Sequence, residues 1–236
     1  MIGTPRVHHR VTDSTNERTK QLALAGAPHG TLVTAEEQTA GRGRQGRQWV
    51  APPSKALLMS VVLRELGGAQ AHLPLAAALA ACEASELSVP HIHCTIKWPN
   101  DVWLDGRKLA GILVEGRPQE GWAVLGIGLN VATTADEFPA ELRENATSLA
   151  VAAQEEGPPA IERVLANLLA TLDTRLGDNP DTIVASWRER DALSGRTVRW
   201  NGGEGTAAGI DESGALIVAT PSGRVTLDAG EVHLLR

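Results

Sequence analysis

GRGRQGRQW, residues 41–49, is the stretch on which the fold turns. Its spacing, Gly41-x-Gly43-x-x-Gly46, matches the glycine fingerprint of a dinucleotide-binding βαβ unit, and so a doubly wound parallel sheet. That fingerprint needs a strand before the glycines, a helix after them and an acid about 20 residues further on. TLVTAEEQ (31–38) supplies the strand and Glu65 the acid. The helix has no room. Only residues 47–55 separate Gly46 from the next apolar run, and Pro52-Pro53 interrupts them. A P-loop fails as well, because no Lys-Ser or Lys-Thr follows the glycines. What remains is a cationic glycine loop. Its glycines let the backbone approach a ligand and expose N–H groups. Arg42, Arg44 and Arg47 offer forked donors for phosphate or carboxylate oxygens. Three cations so close repel one another, so the loop is expected to close when an anion arrives.

On either side of the loop the pattern is mixed. Strands are expected at 6–11, 31–38, 56–65, 94–98 and 121–131, with helices at 15–26 and 71–88. VWL and RKLAGILVE flank Asp105-Gly106, a strong hairpin signal. Residues 158–190 read as helices. From Ser194 five short strands with glycine turns follow, the size of a small SH3-like β-barrel. The expectation is an α+β fold with a larger domain at 1–190 and a small β-rich one at 191–236.

Composition narrows the function. The chain has 236 residues, 42% apolar, enough for a real core. Its net charge of −6 argues against a dedicated nucleic-acid module, which is usually basic over its footprint. Cys82 and Cys94 lack metal-ligand spacing and read as core thiols of a reducing cytoplasm. The longest apolar run, 73–87, is too short and interrupted to span a bilayer. With six Trp, one Phe and no Tyr, any aromatic ligand wall draws on a short list. Trp49 is the candidate; the other five read as packing residues.

KWPNDVWLDGRKLAGILVE (97–115) is the second unusual stretch. Lys97 ends a buried-looking strand, where a cation is costly unless it meets an anion. Asn100 and Asp101 stand beside it, Lys108 opens the returning strand, and Gly111 marks a close backbone approach. With DSTN (13–16), EEQTAGRGRQGRQW (36–49) and GIGLNV (126–131), these segments resemble biotin protein ligases in motif, order and interval, over nearly the whole chain. Within that family the chain resembles the ligase-only type, without an N-terminal DNA-binding domain.

The resemblance implies a catalytic domain like that of class II aminoacyl-tRNA synthetases, a mixed sheet with flanking helices. It also implies that ATP and Mg²⁺ activate biotin as biotinyl-5′-AMP, and that biotin passes to a lysine of a biotin carboxyl carrier domain. Ser14, Thr15, Asn16, Gln38, Gly41, Arg42, Trp49, Lys97 and Gly111 would then surround biotin. Arg44, Arg47, Trp49, Asn100, Lys108 and Asn130 would face ATP, and Asp101 the magnesium. Lys97 would be the central catalytic cation, aided by Arg42, Arg44 and Arg47. A cytoplasmic protein is expected, monomeric or weakly dimeric, binding neither nucleic acid nor membrane. A lipoate or octanoate transferase shares the target-lysine chemistry but is not expected to combine GRGRxGR with KWPND.

Overall fold

Ala56–Arg64 carries eight consecutive buried residues, and a strand that is apolar throughout must be covered on both faces. The computed structural model describes residues 1–64, 71–154, 157–228 and 230–235; Glu65 lies outside them. In it this run is β3, at the middle of a seven-stranded mixed sheet. The other strands are β1 (Arg6–Thr12), β2 (Leu32–Gln38), β4 (Cys94–Lys97), β5 (Asp101–Leu104), β6 (Arg107–Arg117) and β7 (Trp122–Asn130). Their order is β1-β2-β3-β7-β6-β5-β4, with β1 and β2 parallel and every other pair antiparallel.

One face of the sheet carries α1 (Thr15–Leu24), whose Ala23 packs with Val62, Trp122 and Val124. The opposite face carries α2 (Leu73–Ser88), backed by α4 (Ile161–Gly177) and α5 (Pro180–Arg188). Twelve of the 16 residues of α2 are buried because it lies between sheet and helices. Its alanines let both neighbours come close, and Leu79, fully buried, would cost about 2–5 kcal/mol if cut to alanine. Cys82 on α2 and Cys94 on β4 are both buried and free. A five-residue helix, α3 (Leu149–Ala153), was not expected; it starts where the Ser148 hydroxyl accepts the Val151 N–H.

Asp105 and Gly106 both have left-handed φ, +51° and +74°, as a two-residue hairpin turn requires. A register shift follows between Val102 and Trp103, so that Trp103 faces Lys108 while Val102 faces Ala110. Leu109 is the extra residue of this bulge. Strict alternation from Gly111 would send Lys108 to the core face; the bulge returns it to the face of Gly111 and Asp101.

Beyond Arg190 the chain hydrogen-bonds to β4 through Ile96 and enters a five-stranded antiparallel sheet. Its strands are β8 (Thr197–Trp200), β9 (Gly203–Ile210), β10 (Leu216–Thr220), β11 (Gly223–Leu227) and β12 (His233–Leu234), ordered β11-β10-β9-β8-β12. The Trp98 indole N–H donates to the Gly214 carbonyl at 3.0 Å, tying this sheet to the β4–β5 turn. The α+β architecture with a β-rich tail is as expected. No described helix is long and apolar enough to cross a membrane.

Candidate active site

Register brings two glycines together at the centre of the sheet. Gly111 on β6 pairs with Gly128 on β7, in a row that continues through Asp101 to Lys97 on one side and through Leu58 on the other. With no side chains there, the backbone leaves a trough, and the Trp49 indole lies in it. A Cβ added to Gly128 would stand 2.5 Å from Trp49 Cε2, and one added to Gly111 would stand 3.2 Å from Trp49 Cζ3. The Lys108 ammonium sits 5.7 Å from the centroid of the same ring, within cation–π range. The indole N–H is buried and has no partner among the described residues. A cavity of about 280 Å³ opens here, near the lower end of the usual ligand-pocket range of roughly 300–1,000 Å³.

The loop forms the cavity's roof. Arg42 bridges Gln48, Gly43 N–H donates to Arg47 O at 2.8 Å, and Trp49 N–H donates to Gly41 O at 3.1 Å. Gln45 and Gly46 are both left-handed and make the tip, so the glycine is needed there. At Gly41 any Cβ would overlap the Trp49 carbonyl, which is why no side chain fits. The three arginines differ. Arg42 holds Glu17 at 2.7 Å and Arg47 holds Glu231 at 2.6 Å. Arg44 has no ion pair among the described residues and donates to the neutral Asn100 Oδ1 at 3.3 Å. Burial, then the charge of Arg47, pulls its pKa below the ordinary value against the opposing pull of Asp101 and Glu231. Arg44 is thus a half-buried cation with no carboxylate at ion-pair distance among the described residues. Lys108, across the cavity, pairs with Asp101 at 2.6 Å.

The far end is polar and neutral. Gln38 Oε1 accepts the Thr15 N–H at 2.7 Å and the Thr15 hydroxyl at 3.0 Å. Ser60, fully buried behind this wall, lies 2.8 Å from Thr15 Oγ1 and 2.6 Å from Asn16 Oδ1. Asn16 Oδ1 rests on β7 where a side chain at Gly126 would overlap it. Ser14 stands just before α1, yet its side chain makes no capping bond, and the residue lines the cavity.

The structure gathers Ser14, Thr15, Asn16, Gln38, Arg42, Arg44, Arg47, Trp49, Asn100, Asp101, Lys108, Gly111 and Asn130 around this one cavity. Two expected residues are not part of its wall. Gly41 lies beneath the roof, serving the loop's shape. Lys97 stands on the correct face but at the sheet's outer strand, its ammonium 5.3 Å from the Trp103 ring centroid and its pKa lowered chiefly by burial. The bulge in β6 brings Lys108 to the same face, its ammonium against the space above Gly111. Sequence reasoning also missed Phe138, Leu142, Asn145 and Ala146, which close one side of the cavity from a segment without periodicity. Gly126 and Gly128 were visible as alternating strand glycines, but what they accommodate was not. Of the other tryptophans, Trp98, Trp122 and Trp187 are buried, as expected of packing residues.

Among the described residues no three His, Cys, Asp or Glu side chains converge as a metal cage. Asp101 is the carboxylate in the cavity wall. Asn130 commits its Nδ2 to Thr147 O at 2.9 Å, leaving Oδ1 as an acceptor. One carboxylate and one amide oxygen suit a magnesium ion that brings most of its ligands as phosphate and water.

Residues 8–131 match the biotin/lipoate A/B protein ligase family, and residues 193–235 match the biotin protein ligase C-terminal domain. The chain is 39% identical to the biotin–[acetyl-CoA-carboxylase] ligase of Paracoccus denitrificans, the match covering 94% of this chain and 97% of that protein. It is 38% identical to the ligase of the same description from Mycobacterium tuberculosis, covering 95% and 87%. Its backbone is similar to that of the Aquifex aeolicus biotin protein ligase solved with biotin and ATP, at a TM-score of 0.85 and 28% identity over 99% of both chains.

Proposed function

This chain belongs to the biotin/lipoate A/B protein ligase family, and from that premise we propose that it activates biotin with ATP and transfers it to a lysine of a biotin carboxyl carrier domain. One observation carries the proposal. A single cavity joins a neutral polar well at Thr15, Asn16 and Gln38 to two cations, Arg44 and Lys108, across a tryptophan laid on paired glycines. That layout suits a neutral polar ring at one end of the substrate and a reacting carboxylate at the other. Between biotin and lipoate, the match to the biotin ligase C-terminal domain at 193–235 favours biotin.

In the first step a carboxylate oxygen attacks the α-phosphorus of ATP, forming the acyl–phosphate bond as pyrophosphate departs. Two anions must meet, and negative charge grows on the phosphoryl oxygens. Fixed cations in a water-poor cavity stabilise that charge, typically by about 3–4 kcal/mol per donor. Lys108, held by Asp101 over Trp49, takes the position beside the carboxylate. Arg44, lacking a carboxylate of its own, is the loop cation free to accept the phosphoryl charge. Lys97, on the rim and in the fields of Asp101, Glu231 and Arg47, suits the outer phosphates. Asp101 and Asn130 would hold magnesium, which supplies charge neutralisation on the phosphates when bound. In the second step the acceptor amine, having lost its proton, attacks the acyl carbon, and AMP leaves. The roofing loop shields the mixed anhydride from water meanwhile. The adenylating part corresponds to residues 1–190, of the class II synthetase type, with 191–236 as an SH3-like barrel.

The test is biotin-dependent exchange of labelled pyrophosphate into ATP, with lipoate and octanoate in parallel. Exchange with biotin alone is expected. Exchange only with lipoate or octanoate, or none at all, contradicts the proposal.

A further inference from the structure

Behind the polar wall lies a cluster of four charges, of which Arg42 reaches the cavity wall. Glu115, on β6, accepts the Asn16 Nδ2–H through Oε2 at 2.9 Å and the Lys20 ammonium through Oε1 at 2.7 Å. Its Oε1 is also 3.8 Å from the Arg42 guanidinium. Glu17, on α1, holds Arg42 at 2.7 Å and lies 3.7 Å from Lys20. Two acids and two bases alternate around a closed ring. One member, Arg42, is the root of the loop; another, Glu115, grips an amide of the wall.

We propose that Glu115 and Glu17 are positioning residues, Glu115 setting the orientation of the Asn16 amide and both acids drawing Arg42, and with it the base of the loop, onto α1. The chemistry of Asn16 makes the first part specific. An amide can turn over and exchange its oxygen with its nitrogen. Here the nitrogen is taken by a carboxylate, which only accepts, and the oxygen faces the Ser60 hydroxyl, which donates at 2.6 Å. The turned-over amide would set its oxygen against Glu115, so one orientation is enforced. Burial pushes the Glu115 carboxyl up, but the hydrogen bonds from Asn16 and Lys20 and the charges of Lys20 and Arg42 outweigh it and hold the group below its ordinary value. Glu115 is therefore ionised at neutral pH, as the ring requires. The second part separates the arginines. Arg42 is already neutralised and serves as an anchor, whereas Arg44 remains for the substrate anions.

The inference rests on biotin activation only where turnover is measured, because the state of the loop can be read without any ligand. In the ligand-free full chain, tryptic cleavage after Arg42, Arg44 and Arg47 is followed by mass spectrometry. Glu17→Gln and Glu115→Gln should each speed it by about fivefold, the scale set by partly exposed ion pairs. In pyrophosphate exchange, Glu115→Ala should raise the KM for biotin about tenfold while kcat stays within about twofold, the size of a lost hydrogen bond to a charged group. Glu115→Gln keeps an acceptor for Asn16, whose oxygen the Ser60 hydroxyl still holds, and should restore most of that KM. Unchanged cleavage in both Gln variants overturns the anchor; a KM that Ala leaves unmoved, or that Gln fails to restore, overturns the orienting role. If Glu115→Ala does not fold, Glu17→Gln on the exposed face of α1 and the milder Glu115→Gln still decide both parts. A parent enzyme inactive with biotin sinks the substrate assignment, and the cleavage comparison stands apart from it.

Discussion

Replacing Gly128 with alanine places a methyl group where the Trp49 indole already lies. The added Cβ would meet Trp49 Cε2 at 2.5 Å, Cδ2 at 2.8 Å and Cζ2 at 2.9 Å. Carbon atoms rest at about 3.5–4.0 Å, so the ring must withdraw by roughly 1 Å. Gly128 does not have a left-handed φ, and alanine strains nothing in its own backbone. The indole cannot carry its backbone along, because Trp49 N–H is held by Gly41 O and its carbonyl fills the space where Gly41 lacks a side chain. The ring therefore tips into the cavity and onto the ligand. A misplacement of about 1 Å in an aligned site costs up to about 10²-fold in rate, while overpacking costs about 1–3 kcal/mol of stability. The assay is kcat/KM for biotin in pyrophosphate exchange, alongside Tm. Because the effect passes through one contact, it should be non-additive: in a Trp49→Ala background the methyl has room, and Gly128→Ala should change little further. Parental kcat/KM in the single variant, or losses that simply add, would show that Trp49 does not rest on Gly128.

Other predictions concern the lysines and one half-buried acid. Lys108→Ala should reduce adenylate formation by about 10²–10³-fold, whereas Lys97→Ala should act mainly on the KM for ATP; the reverse ranking, measured by exchange at varied biotin and ATP, would place Lys97 at the centre. Asp191 has its carboxyl pushed up by burial, against hydrogen bonds from Leu193 and Ser194, and its Oδ2 has no partner among the described residues. A raised carboxyl means that the folded state favours the proton. Stability is then full below the ordinary value of 3.8 and falls as pH rises through the raised one. Asp191→Asn should accordingly raise Tm by a few degrees near pH 7, a gain that disappears below about pH 4. A gain that is the same at both pH values, or none, contradicts this.

Much of this was legible from local chemistry. The prolines after Gly46 exclude a crossover helix, and residues 47–55 reach β3 without one. Asp105-Gly106 announces its hairpin, and β3 its burial, because both signals are contained within a few residues. What escaped depends on pairing between distant segments. Lys108 is expected at the ATP side from the resemblance, but the bulge that turns it to this face is invisible in one strand's pattern, because it reflects how β5 and β6 fit each other. Gly111 and Gly128 are 17 positions apart, and only the β6–β7 register reveals them as one trough. That Trp49 fills it follows from the loop folding back. The residues 138–146 that close the cavity carry no periodic pattern, since they are shaped to the space they cover. Likewise, the sequence does not show that Glu17 and Glu231, far along the chain, pair with two of the three loop arginines.

The most direct measurement of the central claim is the mass of a purified biotin carboxyl carrier domain after incubation with this protein, biotin and MgATP. One biotinyl group is expected on a single lysine, dependent on ATP and lost in the Lys108→Ala variant. A carrier of unchanged mass, or one that accepts a lipoyl or octanoyl group in place of biotin, would contradict it.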